Sequence, residues 1–228
     1  MKKMGIDIFL DVLLVLFSFV LFYYAYLNLI TPPEKSPVLS AADDIAKPVI
    51  YLYPETEETV TVRLDYPGEI YVSYPKYDPV LKGWNVKAFP GGKIVNLADG
   101  NEYSYLFWEG REASVAWDLS EGFIVEGEKA DIFLRDILAR MGLTPREYNE
   151  FIVYWYPRLK ENKYNLVHFA KGEYEKLAPL TVEPRPDSIL RVFMVYKPLM
   201  EKIDIQPQQI TPFVRSGFAV VEWGGTRI

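Results

Sequence analysis

Residues 48–54, with the sequence PVIYLYP, decide the fold of this chain. After Pro48 they form a continuous apolar run, in which all side chains except Leu52 are β-branched or aromatic, and Pro54 closes it. Such side chains favour the pleated surface of a β-strand, and proline ends a strand because it cannot donate a backbone hydrogen bond. We therefore expect a strand here, at the start of a β-rich domain.

Further stretches of the same kind follow at roughly ten-residue spacing. The first, residues 59–65 (TVTVRLD), alternates strictly, which places Val60, Val62 and Leu64 on one face. The others are residues 70–74, 84–89, 93–97 and 103–108. Pro-Gly, Gly-Gly and Asp-Gly pairs between them are typical of turns. Strands spaced in this way predict an antiparallel β-sandwich or a strongly twisted sheet.

The middle of the chain has a helical pattern instead. Residues 128–141 carry apolar side chains at helical spacing, and Gly142 follows as a left-handed C-cap. Residues 144–147 (TPRE) then supply an N-cap threonine, a proline at the first helical position and a capping-box glutamate. The sequence therefore predicts one well-formed helix followed by a second, short one.

The last third of the chain is predicted to return to strands. Residues 151–156 (FIVYWY) are β-branched and aromatic and precede Pro157, so we expect a strand that pairs with residues 165–169 across a loop. Residues 190–196 (LRVFMVY) and 218–223 (FAVVEW) are apolar enough to be central strands, parallel or antiparallel. The predicted fold class is α+β and β-dominated, with one or two helices.

Residues 1–30 are predicted to form a transmembrane signal anchor. Residues 12–30 carry no charged side chain, and at about 1.5 Å per residue they would span about 28 Å, close to the thickness of a bilayer core. Lys2 and Lys3 orient the N-terminus towards the cytoplasm. Residues 31–47 then form a tether and residues 48–228 a domain outside the cytoplasm. A cleaved signal peptide and a buried core helix are the alternatives.

Composition excludes several classes of function. The net charge is −6 and no cluster of lysine and arginine stands out, so a nucleic-acid partner is not expected. The chain has no cysteine, which excludes disulfides, thiolate metal sites and thiol nucleophiles, and its single histidine, His168, excludes a multi-histidine metal site. We predict no metal and no cofactor.

Several segments together resemble an uncharacterised prokaryotic family. They are residues 47–54 (KPVIYLYP), 103–110 (YSYLFWEG), 149–155 (NEFIVYW), 191–194 (RVFM), 197–199 (KPL) and 221–225 (VEWGG). The resemblance covers almost all of residues 48–228 and implies that they form one module. It implies no activity. From the residues alone, a subdivision near 110–127 stays open.

Two pairs of tryptophan and glutamate are candidate site residues. Glu109 follows Trp108 at a predicted strand end, where a carboxyl group can have the raised pKa that a glycosidase acid needs. Its second carboxylate would be Asp118, Glu121 or Glu222. The alternative is that Glu109 pairs with Arg111 while Trp108 fills the core.

Glu222 and Trp223 repeat this pairing of acid and tryptophan. The two units could face each other over a sugar- or peptide-binding groove, with Arg191 as a polar anchor and with Arg111 and Trp155 as further candidate binding residues. Alternatively, strand alternation buries one of Glu222 and Trp223 and exposes the other. His168 is a candidate lone acid or base, or else a structural residue of a half-buried strand.

These observations support three hypotheses of function. The first is a membrane-anchored extracytoplasmic module, attached through residues 6–30, that binds an envelope protein or glycan, because no catalytic constellation is evident and tryptophan and tyrosine are enriched in interfaces. The second is an envelope glycan hydrolase with paired carboxylates. The third is an accessory subunit of a membrane complex, with Asp7 or Asp11 drawn into the bilayer.

Overall fold

A computed structural model describes Tyr23, which is helical, and residues 45–113 and 115–228. The latter lie in one compact unit, Ala42–Ile228. The predicted anchor and all but the last three residues of the predicted tether lie outside the described residues, apart from Tyr23. In the part of the chain that is described, no helix is both long and apolar enough to cross a membrane.

Strands dominate the domain. The first part contains β1 (Ala46–Tyr53), β2 (Glu58–Leu64), β3 (Glu69–Tyr74), β4 (Gly83–Ala88), β5 (Ile94–Asn96), β6 (Glu102–Tyr103), β7 (Leu106–Arg111) and β8 (Glu121–Glu126). The second part contains α1 (Ala130–Met141), α2 (Pro145–Lys160), β9 (Tyr164–Ala170), α3 (Gly172–Leu177), β10 (Leu180–Glu183), β11 (Ser188–Leu199), β12 (Gln206–Pro207) and β13 (Ala219–Arg227).

The strands form two sheets. The larger has eight strands in the order β12-β8-β9-β11-β13-β1-β7-β3, and the smaller has five in the order β10-β2-β4-β5-β6. The smaller sheet is antiparallel throughout, whereas the larger contains two parallel pairs, β11 with β13 and β12 with β8. The predicted class, α+β and β-dominated, is confirmed. The predicted antiparallel arrangement is wrong for these two pairs, and the described residues contain three α-helices instead of one or two.

The eight-stranded sheet is covered on both faces at its centre. Along β1, Ile50 and Leu52 enter a core shared with the five-stranded sheet, whereas Val49 and Tyr51 enter a core shared with α1 and α2. Because both faces are buried, β1, β11 and β13 have nearly continuous apolar runs instead of alternation.

Most predicted elements are confirmed. The first five predicted strands coincide with β1 to β5, and the sixth is divided between β6 and β7. The predicted helix over 128–141 is α1, and Gly142 ends it with a φ of 106°. The two predicted central strands are β11 and β13, which are neighbours in the middle of the larger sheet and run parallel.

The prediction of a strand at residues 151–156 is wrong, and so is the prediction that the second helix is short. Residues 151–156 and the helix predicted to start after Thr144 are parts of one 16-residue helix, α2. It begins with the predicted capping box at Thr144 and Glu147. The buried side chains of α2 recur every fourth residue, at Glu147, Phe151, Trp155 and Leu159. Pro157 is tolerated because it lies on the exposed side, where water can satisfy the unpaired carbonyl.

The expected pairing of residues 165–169 with 151–156 is wrong for the same reason. Residues 165–169 lie in β9, which pairs antiparallel with β8 and with β11. The strand β8 and the elements α3, β10 and β12 were not predicted.

The N-terminus of α2 is fixed by a buried carboxylate. Glu147 is fully buried and accepts hydrogen bonds from the Thr144 N–H at 2.8 Å and from the Tyr53 hydroxyl at 2.6 Å. Its carboxylate also pairs with the guanidinium of Arg215. Burial by itself raises the pKa of Glu147, but these donors and the Arg215 charge outweigh it, so the pKa is lowered.

Stability should therefore fall in acid. A carboxyl group whose pKa is lowered in the folded state stabilises the fold above its unfolded pKa, about 4.3, and this contribution is lost as the pH falls through the folded pKa. We expect Glu147→Gln to lower the urea midpoint at pH 7, and we expect its difference from the wild type to shrink below pH 4.3. A difference that stays constant from pH 7 to pH 3 would contradict a charged Glu147 in the fold.

Candidate functional site

A groove lies where β1 and β7 meet the exposed side of α2. Its volume is about 390 Å³. The residues that line it are Lys47, Tyr105, Asn149, Glu150, Val153, Tyr154 and Arg158. Three of the segments that carry the family resemblance, residues 47–54, 103–110 and 149–155, converge here from distant parts of the chain.

The backbone of Lys47, which lines this groove, is held in an unusual conformation. Its φ is +57°, in the left-handed region that side chains other than glycine rarely adopt. It lies within a register shift of β1 against β13, between Ala46 and Val49. Irregularities of this kind redirect a side chain, and backbone strain concentrates at functional sites.

Glu109 stabilises this conformation. Its Oε1 accepts the Lys47 N–H at 3.1 Å, and its Oε2 accepts the Tyr71 hydroxyl at 2.6 Å. Glu109 was a candidate catalytic acid in the sequence. The structure places it beside the groove, where it holds the bulge that positions Lys47.

The Lys47 ammonium lies against aromatic rings. Its Nζ is 5.0 Å from the ring centre of Phe107 and 5.8 Å from those of Tyr105 and Tyr154. The guanidinium of Arg158 stacks on Tyr154 at 3.8 Å. Cation–π contacts of this kind hold both cations in place. No carboxylate among the described residues forms an ion pair with either cation.

The other polar groups of the groove are neutral or already engaged. Glu150 accepts the Tyr51 hydroxyl at 2.9 Å, and its other oxygen lies 3.9 Å from Arg146. Burial, reinforced by the charge of Glu150, raises the pKa of Tyr105. Burial also raises the pKa of Tyr154. Both tyrosines are therefore neutral phenols at neutral pH and can donate hydrogen bonds.

The structure brings Trp108, Arg191 and Glu222 together, but in the core between the two sheets. Glu222 is fully buried, and its Oε1 accepts the indole N–H of Trp108 at 3.4 Å and the hydroxyl of Tyr174 at 2.9 Å. Its Oε2 lies 2.5 Å from Arg191 Nε, and Arg191 Nη2 donates to the carbonyl of Ala178 at 2.8 Å. Burial raises the pKa of Tyr174, so its hydroxyl keeps its proton.

The other tryptophan candidates are also internal. Trp223 is fully buried on the opposite face of β13, with its ring 5.2 Å from that of Phe151, and Trp155 is 1% exposed. The expectation that one of Glu222 and Trp223 is exposed is wrong, because β13 is covered on both faces. Arg111 pairs with Glu69 at 2.6 Å.

A comparison with family models finds no match, and a comparison with solved structures finds none either. A 71-residue stretch of the chain is 48% identical to the uncharacterized protein in the bglA 3′ region of Butyrivibrio fibrisolvens. That stretch is 31% of this chain and 70% of the relative. The chain belongs to the family of that protein. The resemblance to an uncharacterised prokaryotic family is thereby confirmed, and membership of this family brings no activity with it.

His168 lines a second cavity, of about 200 Å³. Its Nδ1 lies 2.9 Å from the carbonyl oxygen of Glu121, and because a carbonyl only accepts, Nδ1 carries the proton. In the corresponding neutral tautomer the lone pair is on Nε2. Asp118 and Glu173 line the same cavity. A hydrogen bond from the Ser120 N–H lowers the pKa of Asp118.

The groove residues Lys47, Tyr105, Glu150, Tyr154 and Arg158 were not predicted as site residues. Each is an ordinary lysine, tyrosine or charged helix residue when it is taken alone. The signal that could have identified most of them is their position in the segments that carry the family resemblance. In the described part of the chain, no cluster of three or more histidine, aspartate or glutamate side chains fits a metal ion.

Proposed function

We propose that this member of the family is a binding module of the cell envelope. In this proposal residues 6–30 hold it in the membrane with the N-terminus in the cytoplasm, and residues 48–228 lie outside. The groove at Lys47 is the site where an envelope component binds. The observation that carries the proposal is the pair of cations, Lys47 and Arg158, held against aromatic rings without a carboxylate partner from the described residues.

The surroundings of the candidate acids support binding over glycoside hydrolysis at this site. A glycosidase needs two carboxyl groups that flank the scissile bond across an open cleft. Glu222 is enclosed by three donors in the core, and both oxygens of Glu109 accept hydrogen bonds. Both carboxylates therefore have structural roles in the fold.

One observation favours hydrolysis as a second candidate function. The cavity at His168 is also lined by Asp118, Glu121 and Glu173, and the tautomer with the proton on Nδ1 has its lone pair on Nε2. An imidazole in this state can accept a proton from an attacking water. If the protein is an envelope glycan hydrolase, this cavity is a better candidate for its active site than Glu109.

Blocking the groove should weaken binding. Val153 lines the groove and is 77% exposed, so Val153→Trp should fill the groove without disturbing the core. We expect co-sedimentation of the full-length protein, in detergent micelles, with isolated wall material from its own source to fall about tenfold or more.

The matched control is Met200→Trp, because Met200 is 81% exposed and does not line the groove. This variant should co-sediment as the wild type does. Equal co-sedimentation of the Val153 variant and the wild type would refute the groove as the binding site. Loss in both variants would refute it as well, because the effect would then not depend on the groove.

A further inference from the structure

The charge of the groove indicates what it binds, provided that the proposed function holds. Glu150 is its one lining carboxylate, and it is already engaged by Arg146 and the Tyr51 hydroxyl. The lining residues thus carry two cations, Lys47 and Arg158, and one carboxylate, while Glu109 beside the groove is engaged by the Lys47 N–H and the Tyr71 hydroxyl. The whole chain has a net charge of −6, so this local excess of cations runs against the average surface.

Both cations have defined contacts in the groove. Lys47 starts from a strained backbone position that Glu109 holds in place, and its ammonium lies among three rings. The Arg158 guanidinium stacks on Tyr154, and the Lys47 ammonium approaches the same ring, so both cations contact one aromatic side chain. Preorganised cations without a carboxylate partner suit an anionic group, because binding it breaks no existing ion pair.

The rest of the groove favours a sugar over a peptide. Extended peptides are often recognised by adding a strand to an open sheet edge. Here β1 lies between β13 and β7, and β7 lies between β1 and β3, so neither strand offers an edge. The groove instead presents the amide of Asn149, neutral tyrosine hydroxyls and the apolar Val153, which together suit hydroxyl groups and a sugar ring face.

We infer that the groove binds an anionic glycan of the envelope, with Lys47 and Arg158 contacting a carboxylate or phosphate group on it. Lys47 supplies a compact charge, and Arg158 supplies a planar fork that can donate two hydrogen bonds to either group. Glu109 is a positioning residue, because it acts through the backbone of Lys47.

Binding of defined polymers tests this inference. The full-length protein in detergent micelles is titrated with polygalacturonate, with poly(glycerol phosphate) and with neutral dextran, at low and at high salt. We expect at least one anionic polymer to bind about tenfold or more tightly than dextran, and this preference to weaken with salt. Whichever anionic polymer binds better identifies the group as a carboxylate or a phosphate.

Two substitutions localise the effect. Arg158→Gln and Lys47→Met should each lower affinity for the preferred anionic polymer about tenfold and flatten its salt dependence, with binding of dextran unchanged. Arg185→Gln is the matched control, because Arg185 is exposed and does not line the groove. It should behave as the wild type does. A merely structural role for Arg158 would change the melting temperature and binding of all polymers together.

Other outcomes would overturn the inference in distinguishable ways. If dextran binds as well as the anionic polymers and Val153→Trp blocks both, the groove is a binding site but does not select an anion. If an acidic peptide binds more tightly than any polymer, the ligand is not a glycan. If no polymer binds and wall material does not co-sediment, the proposed function fails as well.

Discussion

Replacing Glu222 with alanine is expected to lower the free energy of unfolding by about 3–5 kcal/mol. The side chain of Arg191 is 9% exposed, and without Glu222 its charge would remain in the core with no carboxylate to neutralise it. Trp108 and Tyr174 would lose their acceptor in the same step. The measurement is urea unfolding of the full-length protein in micelles, followed by tryptophan fluorescence.

The double variant Glu222→Leu with Arg191→Leu is the control. Removing both charges leaves no unpaired buried ion, and replacement of a buried ion pair by apolar side chains is often close to neutral. The double variant should therefore be more stable than Glu222→Ala. If the single variant is as stable as the wild type, Glu222 and Arg191 do not form a buried pair and the register of β11 against β13 is wrong.

Replacing Trp155 with alanine should have an effect of similar size, about 3–5 kcal/mol. Trp155 is 1% exposed on the inner face of α2, with ring centres 6.0 Å from Phe151 and 5.9 Å from Tyr196. The substitution leaves a cavity between α2 and the eight-stranded sheet. It is measured by the same urea unfolding experiment.

Val153→Ala is the matched control in the same helix. Its side chain is 77% exposed, so its removal should change stability by no more than about 0.5 kcal/mol. The contrast between positions 153 and 155 tests the helix directly. If Trp155→Ala is tolerated as well as Val153→Ala, the inner face of α2 has been assigned to the wrong residues.

The strands were predictable where the chain has its own local pattern. Residues 59–65 alternate because β2 has one face in the core and one towards solvent. The segments of β11 and β13 are apolar throughout because they lie in mid-sheet under two covering layers. The parallel pairing of these two strands was not predictable, because both directions bury the same side chains.

The error at residues 151–156 shows a conflict between two signals. Aromatic and β-branched residues favour a strand, whereas the capping box at Thr144 and the four-residue spacing of Phe151, Trp155 and Leu159 favour a helix. Tertiary packing decided for the helix, since this spacing puts the apolar side chains of Phe151, Trp155 and Leu159 on the face of α2 that is buried in the core. Composition is the weaker signal whenever a start signal and a helical period agree.

The missed elements have weak local signals. The strand β8 is six residues long and contains a glycine, and β12 is only two residues long. Both exist because a neighbouring strand pairs with them. Long-range pairing of this kind leaves little trace in the local sequence.

The candidate site was harder to predict than the fold. Tryptophans and acids drew attention because of their chemistry, yet Trp108, Trp155, Trp223 and Glu222 are internal. Whether a strand residue is accessible depends on the layer that covers it, which is a property of the whole fold. The Lys47 bulge and the exposed side of α2 come from distant parts of the chain, and only the folded structure shows that they meet.

The central claim is that the groove at Lys47 contacts an envelope component in the cell. The most direct measurement places a photo-crosslinking amino acid at Val153 in the full-length protein and irradiates intact cells. An equivalent residue at Met200 serves as the exposed position away from the groove. We predict a discrete adduct with an envelope glycan from position 153 and none from position 200. No adduct from position 153, or the same adducts from both positions, would contradict the claim.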